Sequence, residues 1–326
     1  MQKTEPKVSV VVLNYNGANY IKRCLTSLLQ NSYNNFEVLF IDNNSPDKSV
    51  EIAKELFKNE PKIKIVENKE NLGFSIGNNV GFKISNAKYV ISLNNDTVVQ
   101  ENFIRALVDV AEQDYKIGSV GCKIVQIDNT IHYGPVYMNY GFITRSLKKQ
   151  TYDKYTVNLA NCGCATLFRK SLLNKIGGYD AHLWTDWEDH DLGYRINSAG
   201  YKCVYTPKTT VLHLGGGNFL GMSEERKIRI TRNRLLGYYK NYETKNLLLR
   251  FPIVALKTLT ADAFYWFRKG RISPVIKALS AFFKLLGPIR KEKQKVKEFR
   301  AVSDKQIFIN CRIPERQSLP RTLRRL

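Results

Sequence analysis

Residues 8–17, VSVVVLNYNG, form a nearly continuous run of β-branched and aliphatic side chains that stops at Asn14-Tyr15-Asn16-Gly17. A run this apolar reads as a strand buried on both faces and ending in a turn. The pattern repeats outward from it. Ile21, Cys24, Leu25, Leu28 and Leu29 share one face of a helix over Tyr20 to Leu29, and Phe36 to Ile41 is a second apolar run ending at Asp42-Asn43-Asn44-Ser45. Ser49 to Phe57 reads as an amphipathic helix, Ile63 to Glu67 as a short strand, Gly77 to Ser85 as a third helix and Tyr89 to Leu93 as the next strand. This alternation predicts an α/β fold with a doubly wound, mostly parallel sheet, whose ligands bind beyond the carboxyl ends of the strands. Those ends are polar: Asn14 and Asn16, Asp42 and Asn43, then Asn94, Asn95 and Asp96.

The chain has 326 residues, 43% of them hydrophobic. That suffices for a full α/β core with an appendage of about a hundred residues. The net charge of +22 is unevenly spread: residues 1–225 hold 25 Lys and Arg against 23 Asp and Glu, whereas 226–326 hold 26 against 6. A near-neutral domain followed by a strongly basic tail predicts tethering to an anionic surface, lipid headgroups or nucleic acid. The opening MQKTEPK has no basic stretch leading into a long apolar run, so the expectation is a cytoplasmic protein. Cys24, Cys122, Cys162, Cys164, Cys203 and Cys311 lack the paired spacing of a zinc site and read as buried small hydrophobes. Neither a GxGxxG fingerprint nor a P-loop is present.

Read in order over residues 8–220, SVVVLNYNG, FEVLFIDNNSPDKS, ENLGFSIGNNVGF, YVISLNNDT and GYDAHLWTDWEDHDLGYRINSAGY resemble the motifs of family 2 inverting glycosyltransferases, notably their rhamnosyltransferase-like branch. The resemblance implies a GT-A fold over residues 1–222, with a nucleotide-binding half at about 1–98 and an acceptor-binding half at 99–222. It implies a nucleotide-sugar donor, dTDP-rhamnose or a UDP-sugar, and a glycan or polyprenyl-linked glycan acceptor. In that reading Asp42 accepts hydrogen bonds from the ribose or base, with Asn14, Asn71, Gly73 and Asn78 around it. Asn94-Asn95-Asp96 occupies the position of the family's DXD motif, so Asp96 holds Mg²⁺ or Mn²⁺ against the donor diphosphate, and Asn94 and Asn95 bond ribose or metal-bound water. Only the last carboxylate of that motif is kept here. His213 aligns with a histidine that contacts metal or diphosphate, and Asp189 with the general base, Glu188 being the second candidate.

The residues taken singly leave other roles open. Asp42 also suits a turn cap before Ser45-Pro46-Asp47, and Asn14 and Asn16 suit turns. The acidic run Asp186 to Asp191 suits a helix N-terminus, and its mutual repulsion should raise at least one pKa. Arg232 and Arg234 read as basic surface, with the donor diphosphate as the other assignment. A catalytically silent sugar-nucleotide-fold protein is a further alternative, and Asp96, Glu188 and Asp189 argue against it.

From Ser223 the pattern turns helical, with Glu224 and Glu225 in the first turn. Leu247 to Phe267 is apolar, yet it carries Arg250, Pro252, Lys257 and Asp262. Each charge would cost roughly 2.5–3.5 kcal/mol near a bilayer centre, so the segment reads as amphipathic rather than spanning. Residues 223–303 are therefore expected to lie on an anionic membrane surface, peripheral on the cytoplasmic face. Phe264, Tyr265, Trp266, Phe267, Phe282 and Phe283 should face headgroups. A helical cap packed on the catalytic domain is the other reading. Residues 304–326 read as a poorly ordered basic tail, and without a recognisable RNA or DNA module no nucleic acid is expected as a partner.

Overall fold

Four parallel strands build the front of the computed structural model, which describes residues 4–138, 144–146, 155–215 and 222–312. The elements follow as β1 (Val8–Asn14), α1 (Ile21–Leu29), β2 (Phe36–Asp42), α2 (Ser49–Phe57), β3 (Ile63–Glu67), α3 (Gly73–Ile84) and β4 (Tyr89–Asn94). Val8, Val10, Val11 and Val12 are fully buried, as a central strand covered on both faces requires. In the order β3-β2-β1-β4, the register sets Asn14 beside Asp42 and Leu13 beside Asn94. The polar strand ends thus form one continuous ledge.

The sheet then becomes mixed. The chain continues through β5 (Thr97–Val99), α4 (Phe103–Ala111), β6 (Ile117–Val125), β7 (Ile131–Tyr133), β8 (Val136–Met138), β9 (Thr144–Ser146), β10 (Thr156–Asn158), β11 (Ala165–Arg169), α5 (Lys170–Ile176), α6 (Glu188–Ser198) and β12 (Lys202–His213), with β8 and β9 pairing apart as a two-stranded sheet. β11 lies antiparallel between β4 and β6, and β12 runs parallel to β6. A register shift between Thr206 and Thr210 carries the end of β12 onto β5, where His213 faces Thr97. That pairing delivers a histidine to the residue after Asp96.

The tail comprises α7 (Glu224–Asn241), α8 (Thr244–Leu249), α9 (Phe251–Phe267), α10 (Ser273–Phe299) and α11 (Asp304–Cys311). Its inner face is built into the catalytic domain. Lys240 of α7 is buried between Asp180 and Asp191, 2.7 Å from the latter. Lys293 of α10 donates to the carbonyl of Tyr239 at 2.9 Å, satisfying an otherwise open end of α7. Two expectations are corrected here. Trp266 and Phe282 do not face outward: both are buried, Phe282 against Tyr239 and Phe251. Residues 304–311 are not poorly ordered but form α11, because Ile307 and Cys311 complete an apolar cluster with Tyr194, Tyr238 and Tyr242. Asp304 fixes that helix by accepting from Tyr194, the Glu243 amide and Asn246, each at 2.8 Å. The rest of the expected basic tail, 313–326, lies outside the described residues. Among the described residues no helix is long and apolar enough to cross a membrane.

Candidate active site

Beyond the ends of β4, β11 and β12 lies a cavity of about 630 Å³, lined among others by Asn94, Asp96, His213, Glu188, Asp189 and Arg234. Its size suits a small ligand. On one wall the His213 Nε2 atom sits 3.0 Å from Asp96 Oδ1, and the His132 ring is 4.9 Å from that of His213. The Nδ1 atom of His213 is buried without a hydrogen-bond partner among the described residues. An oxygen and a nitrogen donor paired in this way fit a divalent cation that takes its other ligands from phosphate oxygens. Among the described residues no three His, Cys, Asp or Glu side chains converge into a complete protein cage.

The opposite wall begins at a strained corner. After a 3₁₀ turn at Ala181–Leu183, Trp184, Asp186 and Trp187 all have positive φ, at 60°, 69° and 75°. Such conformations cost side-chain-bearing residues energy and persist only when neighbours hold them. α7 supplies that hold. The Asn233 amide donates to the carbonyls of Leu183, Thr185 and Asp186 at 2.8, 2.9 and 2.7 Å, and its oxygen accepts from Arg232. Asp186 is paired with Arg226 and Arg229, and the latter also lies over Trp184. Gly73, at φ 71°, leaves room for the Trp184 indole, whose Nε1 would stand 2.3 Å from any added Cβ.

This corner launches α6 with Glu188 and Asp189 at its first turn, facing the cavity. Burial pushes the Glu188 carboxyl well above its usual range, and the neighbouring Asp189 charge adds to the rise. Burial also raises Asp189, but His190 and hydrogen bonds from the His190 and Gly163 backbone outweigh it and leave that carboxyl below its usual value. His190 meets Asp189 Oδ1 at 2.7 Å through both its backbone amide and its ring Nδ1. The two neighbouring carboxyls are thus pushed in opposite directions, Glu188 up by burial and Asp189 down by His190, the kind of separation an acid/base pair uses.

The remaining expected residues lie on the neighbouring ledge and do not line this cavity. Asn14 is fully buried: its nitrogen reaches Asp42, Ser45 and Ser49, and its oxygen accepts from Asn95 at 2.6 Å. Asp42 is nearly buried and accepts from the Ser45 hydroxyl and amide at 2.6 and 2.9 Å, which is the turn-cap geometry. Asn71 accepts from the Gly73 amide at 2.9 Å. Asn78 is corrected: it is no base contact. Its nitrogen donates to the Phe74 carbonyl and its oxygen accepts from Ser92, both at 3.0 Å, and it is fully buried. The cause is the start of α3 at Gly73 rather than at Gly77, which turns position 78 toward the sheet.

Sequence reasoning missed Asn233, Trp187 and His132. A Thr231-Arg232-Asn233-Arg234 run reads as a solvated helix face, and nothing local marks Asn233 as buried.

A parallel α/β half with a polar ledge, joined to a mixed half that sets an acid pair across a cavity from a carboxylate and histidine, defines a GT-A-type fold. The family model described as glycosyl transferase family 2 matches residues 9–177, and the chain belongs to that family. It is 26% identical over 202 residues to a poly-beta-1,6-N-acetyl-D-glucosamine synthase of Staphylococcus epidermidis, covering 62% of this chain and 48% of the relative. It is 27% identical over 221 residues to the O-antigen biosynthesis protein RfbC of Myxococcus xanthus, covering 64% of this chain and 17% of that one. The chain thus spans half or less of the length of these relatives. Among solved structures it superimposes on S. aureus TarS 1-349 in complex with UDP-GlcNAc at TM-score 0.61, with 15% identity and coverage of 90% and 84%. The mannosyltransferase PcManGT of Pyrobaculum calidifontis, in complex with GDP-Man and Mn2+, follows at TM-score 0.56, with 17% identity and coverage of 91% and 85%.

Proposed function

We propose that this protein transfers a sugar, with inversion, from a nucleotide diphosphate donor to a hydroxyl of a glycan or polyprenyl-linked glycan. The observation that carries the reading is that the neighbouring carboxyls of Glu188 and Asp189 open onto the same cavity that Asp96 and His213 line. Asp189 takes the proton of the attacking hydroxyl. Glu188, whose carboxyl burial pushes upward, is suited to hydrogen-bond a sugar oxygen. Asp96 and His213 would hold Mg²⁺ or Mn²⁺, which supplies positive charge to offset that of the leaving nucleotide diphosphate. Asp42, Asn71 and Gly73 on the ledge serve the nucleoside, with Asn14 and Asn95 fixing the ledge from beneath. The resemblance of the motifs favours dTDP-rhamnose or a UDP-sugar as donor.

In the same reading residues 1–98 hold the donor and 99–222 the acceptor, while the tail docks on an anionic membrane at its cytoplasmic face. Phe264, Phe267, Leu256 and Ile276 are exposed on α9 and α10 beside Arg268, Lys269 and Lys277, an apolar and basic surface of the kind that lies on headgroups.

Thermal unfolding of the protein with UDP-, dTDP- and GDP-sugars, with and without Mn²⁺ or Mg²⁺, tests the donor site, because a ligand bound only by the folded state raises its stability. A rise with one nucleotide that shrinks in Asp96→Ala is the expected result. No rise with any of them sinks the donor assignment.

A further inference from the structure

Among the described residues, three carboxylates around the cavity have a basic partner. Asp186 has Arg226 and Arg229, Asp189 has His190, and Asp96 has His213. Arg234 also lines the cavity, one turn of α7 beyond Ile230 and two beyond Arg226. Among the described residues its guanidinium has no carboxylate partner, and its Nε is buried without a hydrogen bond. Its guanidinium lies over the Trp187 ring, 5.3 Å from guanidinium carbon to ring centroid. A ring face attracts the cation but accepts none of its in-plane N–H groups. Leaving such a donor buried and unmatched is costly unless a ligand completes it.

The position of Arg234 is constructed. Trp187 is held by a stack on His190, with centroids 4.2 Å apart and planes at 12°, and by an edge contact with Tyr238. Gly237, one turn after Arg234, leaves the space for the indole: an added Cβ would meet Nε1 at 2.7 Å. Trp187 immediately precedes Glu188, and the guanidinium it carries lines the same cavity as the acid pair proposed to activate the acceptor.

Resting on the proposed transfer reaction, we infer that Arg234 is a binding residue for a phosphoryl group of the acceptor, held next to the hydroxyl that attacks. The planar fork of a guanidinium matches two oxygens of a phosphate, and a polyprenyl-linked glycan presents such a group beside its first sugar. The donor diphosphate is the competing source of the same chemistry.

The test uses the full chain and the variants Arg234→Gln and Arg234→Lys, with thermal midpoints first checking that each folds. Calorimetry measures UDP binding with Mg²⁺, then the binding of inorganic phosphate to nucleotide-free and to UDP-saturated protein. The expected result is UDP affinity within about twofold of the parent in both variants. Phosphate affinity should fall by about tenfold or more in Arg234→Gln and to an intermediate value in Arg234→Lys, with UDP present or absent. Equal phosphate affinity in parent and variants, or no phosphate binding to the parent, overturns the inference. A fall in UDP affinity matching that for phosphate assigns the guanidinium to the donor and overturns it too. Should Arg234→Gln not fold, Arg234→Lys decides alone, since a point charge cannot reproduce the fork. Failure of the parent to bind any nucleotide strikes the donor reading, while the nucleotide-free phosphate titration still reads Arg234.

Discussion

The Asn233 side-chain amide donates to the Asp186 carbonyl at 2.7 Å, joining α7 to the strained corner two residues before Glu188. The same nitrogen serves Leu183 and Thr185, so one amide fixes the backbone that aims the acid pair. Asn233→Ala should therefore lower stability by about 2–3 kcal/mol, the cost of leaving such groups buried and unpaired. Turnover should fall further than UDP affinity does. Urea unfolding alongside steady-state kinetics checks this, and a variant with parental turnover would show that Asn233 does not set the geometry.

Glu188 and Asp189 should respond oppositely to charge removal. The unfolded Glu188 ionises above its ordinary pKa, whereas in the fold burial keeps it protonated to a higher pH, so its contribution to stability falls as pH rises through that window. Glu188→Gln removes this loss and should raise the thermal midpoint at about pH 7, above the unfolded value for Glu. Asp189 is held below its ordinary value, so its contribution is present above the unfolded pKa and is lost as pH falls through the folded one. Asp189→Asn should lower stability near neutrality and cut turnover by roughly 10²–10⁴-fold while sparing nucleotide binding. Melting curves and kinetics across pH decide both.

Lys240 neutralises two buried carboxylates, Asp180 and Asp191. Lys240→Met leaves both without their ammonium and should cost about 3–5 kcal/mol. Burial alone would raise Asp180, but Lys240 and the His182 hydrogen bond overcome it and hold the carboxyl low. Stability from Asp180 is thus present above its unfolded pKa and lost in acid, and in Lys240→Met the acid transition should move to higher pH. Circular dichroism during acid titration measures it.

Gly237→Ala opposes two effects. Helix propensity favours alanine by about 1 kcal/mol, yet the new Cβ would stand 2.7 Å from Trp187 Nε1. The clash should win, displacing the indole, changing tryptophan emission and lowering turnover. A more stable, fully active variant would refute the packing argument.

For the outer face of α9, Phe264→Ser with Phe267→Ser should reduce sedimentation with anionic vesicles without changing the thermal midpoint, since both side chains are exposed, at 64% and 76%. Added salt should weaken the binding of the parent, because basic residues contribute about 1 kcal/mol each at such a surface. Equal sedimentation of parent and variant would place the contact elsewhere.

The apolar runs of β1, β2 and β4 were legible in the sequence because a strand buried on both faces needs no partner-specific pattern, only continuous hydrophobicity. The polar ledge at Asn14, Asp42 and Asn94 followed from where those runs stop. Asp96, Glu188, Asp189 and His213, singled out through the motifs, line one cavity, and the tail's helices were legible through their periodicity. Asn78 misled because α3 starts at Gly73, where Trp184, more than a hundred positions away in the chain, packs against the backbone. Asn233 was hidden, and Arg234 read as basic surface or a donor-diphosphate contact, for a related reason: their surroundings come from a corner some fifty residues earlier. The inward turn of Trp266 and Phe282 likewise depends on which helix arrives to cover them. Local periodicity determined the elements and which residue types could do chemistry, because it is written in neighbouring side chains. Only the tertiary structure decided which of those residues meet, since burial, pairing of charges and the support of strained backbone all require groups brought together from distant parts of the chain.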